Sequence, residues 1–317
     1  MTLETILRDT PERLNQANFL EICEYLAKET GSTPQIVKKE VLHNDILFAL
    51  SNAGYLKNMN FHGGTSLRLI HGSPRYSEDL DFCGGSTYNS HNNQDLAECL
   101  QEYLGKRYGL NVSHKRKDMT NDNIPVDKWL IKVEVDPKHR NVPMEKVKIE
   151  VASVDYYTSE AQPLYRRYKF MPSGYGSMSV PTQKLNEILA DKLISVVAAF
   201  AVEGRPRHLR QRDMFDINFI MSQGQKLDET VLDMFKRKIE DYNINNYMDR
   251  LNVFLQEAEQ LLDELYLSTL QNQLDPRDFT KQFQQNAYQK HKDRLFENLS
   301  LASIYYTNEK ILDQIKL

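Results

Sequence analysis

Apolar residues recur at helical spacing over the first 55 positions and at two-residue spacing only further on. In ERLNQANFLEICEYLAKETG, Leu14, Phe19, Ile22 and Leu26 fall at near-helical intervals, and Gly31 is placed to close the helix. STPQIVKKEVLHNDILFALSNAGY opens on Ser/Thr and proline, as helices do, and stops at Gly54. LKNMNF then reads as a short strand that delivers the chain to Gly63 and Gly64. Residues 84–128 hold a helix, NNQDLAECLQEYLGKRYG, and a polar, turn-rich connection. WLIKVEVDP and KVKIEVAS follow as strands. In the second, Val147, Ile149 and Val151 alternate with Lys148, Glu150 and Ala152, a half-buried pattern. MPSGYGSMSVP concentrates glycine, serine and proline and marks a boundary. Beyond Pro181 no strand is evident. Residues 182–204, 208–223 and most of 228–317 carry helical periodicity, with a break at LDPRD. The pattern predicts a mixed α/β domain over 1–180, followed by an all-helical domain over 181–317.

Composition narrows the function. With 317 residues, 40% hydrophobic and 26% charged, the chain has the make-up of a soluble globular protein. Its net charge of −4 leaves any affinity for nucleic acid to a local basic patch. The opening MTLETILRDTPERL carries acids and no apolar core, unlike a secretory signal. The longest apolar run, LISVVAAFAV, is about half of the roughly twenty residues that span a bilayer. Cys23, Cys83 and Cys99 are odd in number and widely spaced, which fits a reducing cytoplasm and neither a disulfide framework nor a zinc site. No HExxH pattern occurs among the histidines.

The densest chemistry lies in NFHGGTSLRLIHGSPRYSEDLDF. As a strand, the last part puts Asp79 and Asp81 on one face and Leu80 and Phe82 on the other. Two like charges then stand side by side without an evident basic neighbour on that face, and a cation is expected between them. Glycines let a backbone approach phosphate, and a helix start offers free N–H groups to an anion. Gly63-Gly64-Thr65-Ser66 ahead of the D-x-D pair therefore points to metal-assisted phosphoryl chemistry. Magnesium is the expected ion, with manganese as an alternative, because such ions bridge carboxylates to phosphates. A tight turn before an edge strand with solvated acids is the plainer alternative. Two-metal transfer asks for a third acid on a neighbouring strand. Glu150 and Glu134 both qualify, and Glu150 is favoured because Glu134 shares its face with Lys132 and Asp136.

In TQKLNEILADKLISVVAAF, Lys192 falls inside the stripe formed by Leu185, Ile188, Leu189, Val196 and Phe200. Lysine is rarely buried unpaired, so an inward lysine suggests an anion, a triphosphate above all. The alternative is snorkelling toward Glu187 or Asp191. In RPRHLRQRDMFDINFI, Asp213 and Asp216 share one helical face. Either they pair within the helix, Arg212 with Asp216 or Arg210 with Asp213, or one turns toward Lys192 or the transfer site. Arg205, Arg207, His208, Arg210 and Arg212 form the densest basic cluster, either a solvated loop or a contact for RNA phosphates.

With these residues in view, the sequence resembles the AbiEii/AbiGii family of nucleotidyltransferase toxins, within the DNA polymerase β-like superfamily. The matching pieces are GGTSL with RYSEDLDF, then KIEV, EILADKL and RDMFDI, in family order over roughly residues 55–222. The resemblance implies that Gly64, Thr65 and Ser66 cradle a triphosphate and that Asp79 and Asp81 bind magnesium. Glu150 would match the third acid, Lys192 the motif lysine, and Asp213 the late aspartate, with Asp216 a close second. It further implies an NTP substrate, an RNA acceptor such as the 3′ end of tRNA, and a separately encoded antitoxin in a toxin–antitoxin or phage-defence pair. The same fold hosts small-molecule nucleotidyltransferases, so the acceptor does not follow from it. A non-catalytic partner on this fold is disfavoured by intact Asp79, Asp81 and Lys192. A HAD-type phosphatase wants an apolar strand where SPRYSE stands, and a D-x-D glycosyltransferase wants a nucleotide-binding βα region where the first 55 residues read as helices.

Overall fold

The computed structural model describes residues 16–117, 124–136, 142–165, 171–200, 202, 204–244, 246–275, 278–281 and 287–315. Leu14 and its neighbours, residues 118–123 of the polar connection, and Pro276-Arg277 of LDPRD lie outside them. The chain forms two compact units. The first is built from residues up to Gly72 and from Tyr76–Thr182, and the second from Ser73–Arg75 and from Gln183 onward. No helix among the described residues is long and apolar enough to cross a membrane.

In the first unit, α1 (Gln16–Thr30) buries Phe19, Ile22 and Leu26, and Gly31 follows it with φ of 70°. α2 (Pro34–Asn52) starts as its sequence predicts, with the Thr33 hydroxyl accepting from the Ile36 N–H and proline in the first turn. From Glu40 to Leu50, α2 is buried on every side. Each of its polar residues there has a partner, as burial demands, although the His43 Nδ1 has none among the described residues. Glu40 takes Arg68 of α3 (Gly63–Leu69). The His43 ring bonds the Glu78 carbonyl at 2.9 Å, and Asn44 bonds the Tyr175 hydroxyl. Asp45 gathers Arg107 and the hydroxyls of Tyr103 and Tyr108, all from α4 (Leu96–Tyr108).

The strands are β1 (Asn60–His62), β2 (Asp79–Cys83), β3 (Asn111–Lys117), β4 (Val126–Glu134), β5 (Glu145–Ala152), β6 (Glu160–Pro163) and β7 (Ser179–Thr182). They form one mixed sheet in the order β3-β4-β5-β2-β1-β7-β6. β2 runs antiparallel to β1 and parallel to β5. One face carries Phe61, Leu80, Phe82, Trp129, Ile131, Val147, Ile149 and Val151, all fully buried in a core shared with α1, α2 and α4. The opposite face carries Asp79, Asp81, Lys128, Lys148 and Glu150, each partly exposed.

Three strands were not predicted. β3 has a single apolar residue, Val112, and is an edge strand, where solvation removes the alternation that marks a strand. β6 is a four-residue edge strand, EAQP. β7 falls within the stretch read as a boundary loop. Its Pro181 has no N–H for a ladder and masks a strand that nonetheless pairs with β1 and β6. LKNMNF is part strand only, because Tyr55–Asn58 form a 3₁₀ turn ahead of β1.

The second unit holds α5 (Leu185–Ala198), α6 (Gln211–Ser222), α7 (Glu229–Asp241), α8 (Tyr247–Gln271) and α9 (Ala287–Ile315). Edge-to-face ring pairs, Phe200 with Phe254 and Phe235 with Tyr247, tie α7 and α8 into its core.

Candidate active site

In the first unit, the turn from β1 into α3 sets the geometry. Gly63 has φ of 78°, a left-handed conformation that other residues adopt only at a cost. A side chain there would also place its Cβ 2.9 Å from Asp81 Oδ2. Position 63 is therefore glycine for two separate reasons, and the second concerns the aspartate directly. The Thr65 hydroxyl bonds the Asp79 carbonyl, which holds the start of α3 against β2. The Ser66 hydroxyl is fully buried and has no hydrogen-bond partner among the described residues. As at any helix start, the first N–H groups of α3, including those of Gly63, Gly64 and Thr65, lack intrahelical acceptors.

The register β2–β5 aligns Asp81 with Glu150 and Asp79 with Lys148. Glu134 belongs to the same face but lies six residues from Lys128, which is the partner of Glu150 on β4, and it accepts from Asn111 instead. Glu150 is thus the acid beside the D-x-D pair. The expectation that the pair lacks a basic neighbour is overturned. Lys148 Nζ sits 2.7 Å from Asp79 and 3.6 Å from Glu150, while Lys128 lies 3.3 Å from Glu150. Burial alone would lower the Lys148 pKa, but the bond to Asp79 outweighs it and the ammonium is held above its usual range. Among the described residues no three His, Cys, Asp or Glu side chains are gathered closely enough to hold an ion. The donor chemistry of Asp79, Asp81 and Glu150 nevertheless suits a hard cation such as magnesium, and Gly63 keeps the space against Asp81 clear.

In the second unit, α5 and α6 bring Lys192, Asp213 and Asp216 together. Lys192 is 8% exposed, and its Nζ lies 2.7 Å from Asp213 and 2.8 Å from Asp216. Both aspartates therefore turn toward Lys192. Asp216 is also held by Arg75, with two bonds of 2.7 Å from Nε and Nη2, so the anticipated Arg212 pair does not take it. Asp213 does make the anticipated pair with Arg210, at 2.5 Å, and accepts from the Ser195 hydroxyl. Burial would raise the Asp213 carboxyl, but Lys192 and Arg210 overcome it and hold the group well below the usual carboxylate range. Asp216 is lowered against its own burial by Arg75 and Lys192. Glu187 and Asp191, the alternative partners considered for Lys192, go to Lys238 of α7 at 2.8 and 3.0 Å.

Arg205, Arg207, His208, Arg210 and Arg212 are all exposed. Arg207 pairs with Glu257 at 2.7 Å and Arg210 with Asp213, which leaves Arg205, His208 and Arg212 as the members with no ion pair among the described residues. Lys148, Lys128 and Arg75 were not singled out from sequence. Lys148 could have been, since the two-residue period puts it on the face of Glu150. Its registration with Asp79 depends on strand pairing, which the sequence does not display.

The family model described as nucleotidyl transferase AbiEii toxin of type IV toxin–antitoxin systems matches residues 45–313. A search of curated proteins finds no match. Among solved structures, the chain is similar to MenT4, a nucleotidyltransferase toxin from Mycobacterium tuberculosis. That likeness has a TM-score of 0.54 and 17% identity, over 92% of this chain and 93% of that one. JHP933 from Helicobacter pylori gives a TM-score of 0.47 and 17% identity, over 90% and 99% of the two chains. The likeness to MenT4 shows a shared fold, and the family match spans most of the chain. The protein belongs to the AbiEii family, the nucleotidyltransferase toxins of type IV toxin–antitoxin systems.

Proposed function

We propose that this nucleotidyltransferase moves a nucleotide from an NTP to an RNA acceptor, the 3′ end of tRNA, in a magnesium-dependent reaction held in check by a separate antitoxin. The observation that carries this reading is Gly63, whose left-handed backbone brings the turn so close to Asp81 that a Cβ there would sit 2.9 Å from its carboxylate oxygen. A solvated edge strand has no need of such a fit. Asp79, Asp81 and Glu150 would hold the ion, which when bound supplies charge stabilisation to the transferring phosphoryl group. Thr65 fixes the glycine turn to β2 through the Asp79 carbonyl. Lys192, Arg75 and Arg210 set three positive charges against the two of Asp213 and Asp216, so the cluster keeps one net positive charge. That surplus suits phosphate, and the paired aspartates hold the Lys192 ammonium in place for it.

A small molecule or protein as acceptor is the second reading, favoured by the ion pairs that already engage Arg207 and Arg210. Purified protein incubated with magnesium, total RNA and each α-labelled NTP in turn tests both. The proposal expects one NTP to label a tRNA-sized band, with no label after EDTA or in Asp81→Asn. Label that appears only on protein or on a small molecule moves the assignment to the second reading.

A further inference from the structure

We propose that Lys148 is the resident counter-cation of the Asp79/Asp81/Glu150 face: its ammonium stands where a divalent ion would be held, and the two compete. The inference rests on the reading of those carboxylates as the metal seat. Lys148 Nζ lies 2.7 Å from Asp79 Oδ2 and 3.6 Å from Glu150 Oε1, one ammonium spanning two of the three carboxylates. The parallel register places it opposite Asp79 on the same sheet face, so no side-chain rearrangement is needed to bring it there. Lys128 lies 3.3 Å from Glu150 on its other flank.

Three carboxylates on neighbouring strands repel one another, and two lysines offset most of that charge. Among the described residues no three acidic or imidazole groups converge on one point. An incoming ion must displace the Lys148 ammonium from Asp79. Lys148 has the freedom to leave, because its side chain is 43% exposed and its stem is flexible. In the resting protein the lysine bridges Asp79 and Glu150 and, with Lys128, offsets two of the three negative charges. Uptake of the ion therefore costs the energy of an ion pair as well as the ion's dehydration. Lys148 is a positioning residue in this scheme, acting through Asp79 and Glu150.

The test is direct binding of Mn²⁺ to the full chain without nucleotide, followed by the electron paramagnetic signal of the free ion. Wild type is compared with Lys148→Met, Lys148→Arg and Asp81→Asn. Removing the competing charge should tighten Mn²⁺ binding roughly tenfold, the scale on which groups around a metal's ligands act. Lys148→Arg retains the charge and should bind as wild type or more weakly, and Asp81→Asn should bind least. The thermal midpoint of Lys148→Met should also rise further on Mn²⁺ addition than that of wild type. Equal Mn²⁺ affinity in wild type and Lys148→Met, with weakened binding in Asp81→Asn, overturns the competition and leaves the metal seat standing. No Mn²⁺ binding that depends on Asp81 in any variant overturns both.

Discussion

Gly63 and Asp81 work as a pair, and each constrains what can be done to the other. Gly63→Ala puts an L residue at φ of 78° and a methyl group 2.9 Å from Asp81 Oδ2. The backbone term alone is about 1–2 kcal/mol, and the close approach displaces the carboxylate. Both the thermal midpoint and nucleotide transfer should fall, measured by calorimetry and by the labelling assay. Asp79→Asn should abolish transfer with little change in stability. Its ion pair with Lys148 is 41% and 43% exposed, and pairs of that exposure contribute at most about 1 kcal/mol. Transfer that persists near the wild-type rate in Asp79→Asn would remove this residue from the metal seat. Lys192 behaves differently. Lys192→Met preserves the stem but strips the ammonium from two buried carboxylates, and breaking such a pair costs about 3–5 kcal/mol. Circular dichroism should show a lowered midpoint, and nucleotide affinity should be abolished in the fraction that remains folded. Unchanged affinity in that fraction assigns Lys192 to structure alone.

At the scale of elements, α6 is held to α5 by charge as well as by its apolar residues. Asp213 carries a folded pKa well below its unfolded value of about 3.9, through Lys192 and Arg210 acting against burial. The stability it contributes is therefore complete above about pH 4 and is lost as pH falls through the folded value. Acid unfolding of the wild type followed by the helical signal should show this loss below pH 4. Asp213→Asn should lower stability at pH 7 by about 3 kcal/mol, the low end for a broken buried pair because Asp216 still holds Lys192. It should also flatten the dependence on pH in the acid range. A midpoint that falls with acid equally in both proteins would place the sensitivity elsewhere. The strands show the same dependence on neighbours. β4 and β5 alternate clearly because their inner residues meet the core, whereas β3 and β6 sit at the edges and keep no alternation to read.

For the whole molecule, the acidic balance of −4 makes RNA recognition a matter of local charge. Arg205 and Arg207 can be altered without touching the buried cluster, whereas Arg210 pairs with Asp213 and cannot. Changing Arg205 and Arg207 to Gln should weaken tRNA binding and reduce the log–log salt slope by roughly 0.7 to 0.9 for each phosphate released. NTP affinity should stay near wild type. Binding titrations of both ligands across a salt series decide this, and an unchanged tRNA slope takes the acceptor role from these arginines.

The sequence alone determined what local pattern can determine. Helical spacing set α1 and α2, two-residue alternation set β4, β5 and the shared face of Asp79 and Asp81, and three-residue spacing put Asp213 and Asp216 on one side of α6. The glycine pair, the D-x-D and the lysine within an apolar stripe were legible for the same reason, since each is a short-range departure from the expected residue type. Tertiary structure decided the partners. Lys148 reaches Asp79 across 69 positions of chain, Arg75 reaches Asp216 across 141, and Lys192 takes Asp213 at a distance of 21 while its near neighbours Glu187 and Asp191 go to Lys238. Strand register and helix packing choose among acids and bases that are chemically alike. Those choices are made by burial and distance, which a linear pattern does not carry.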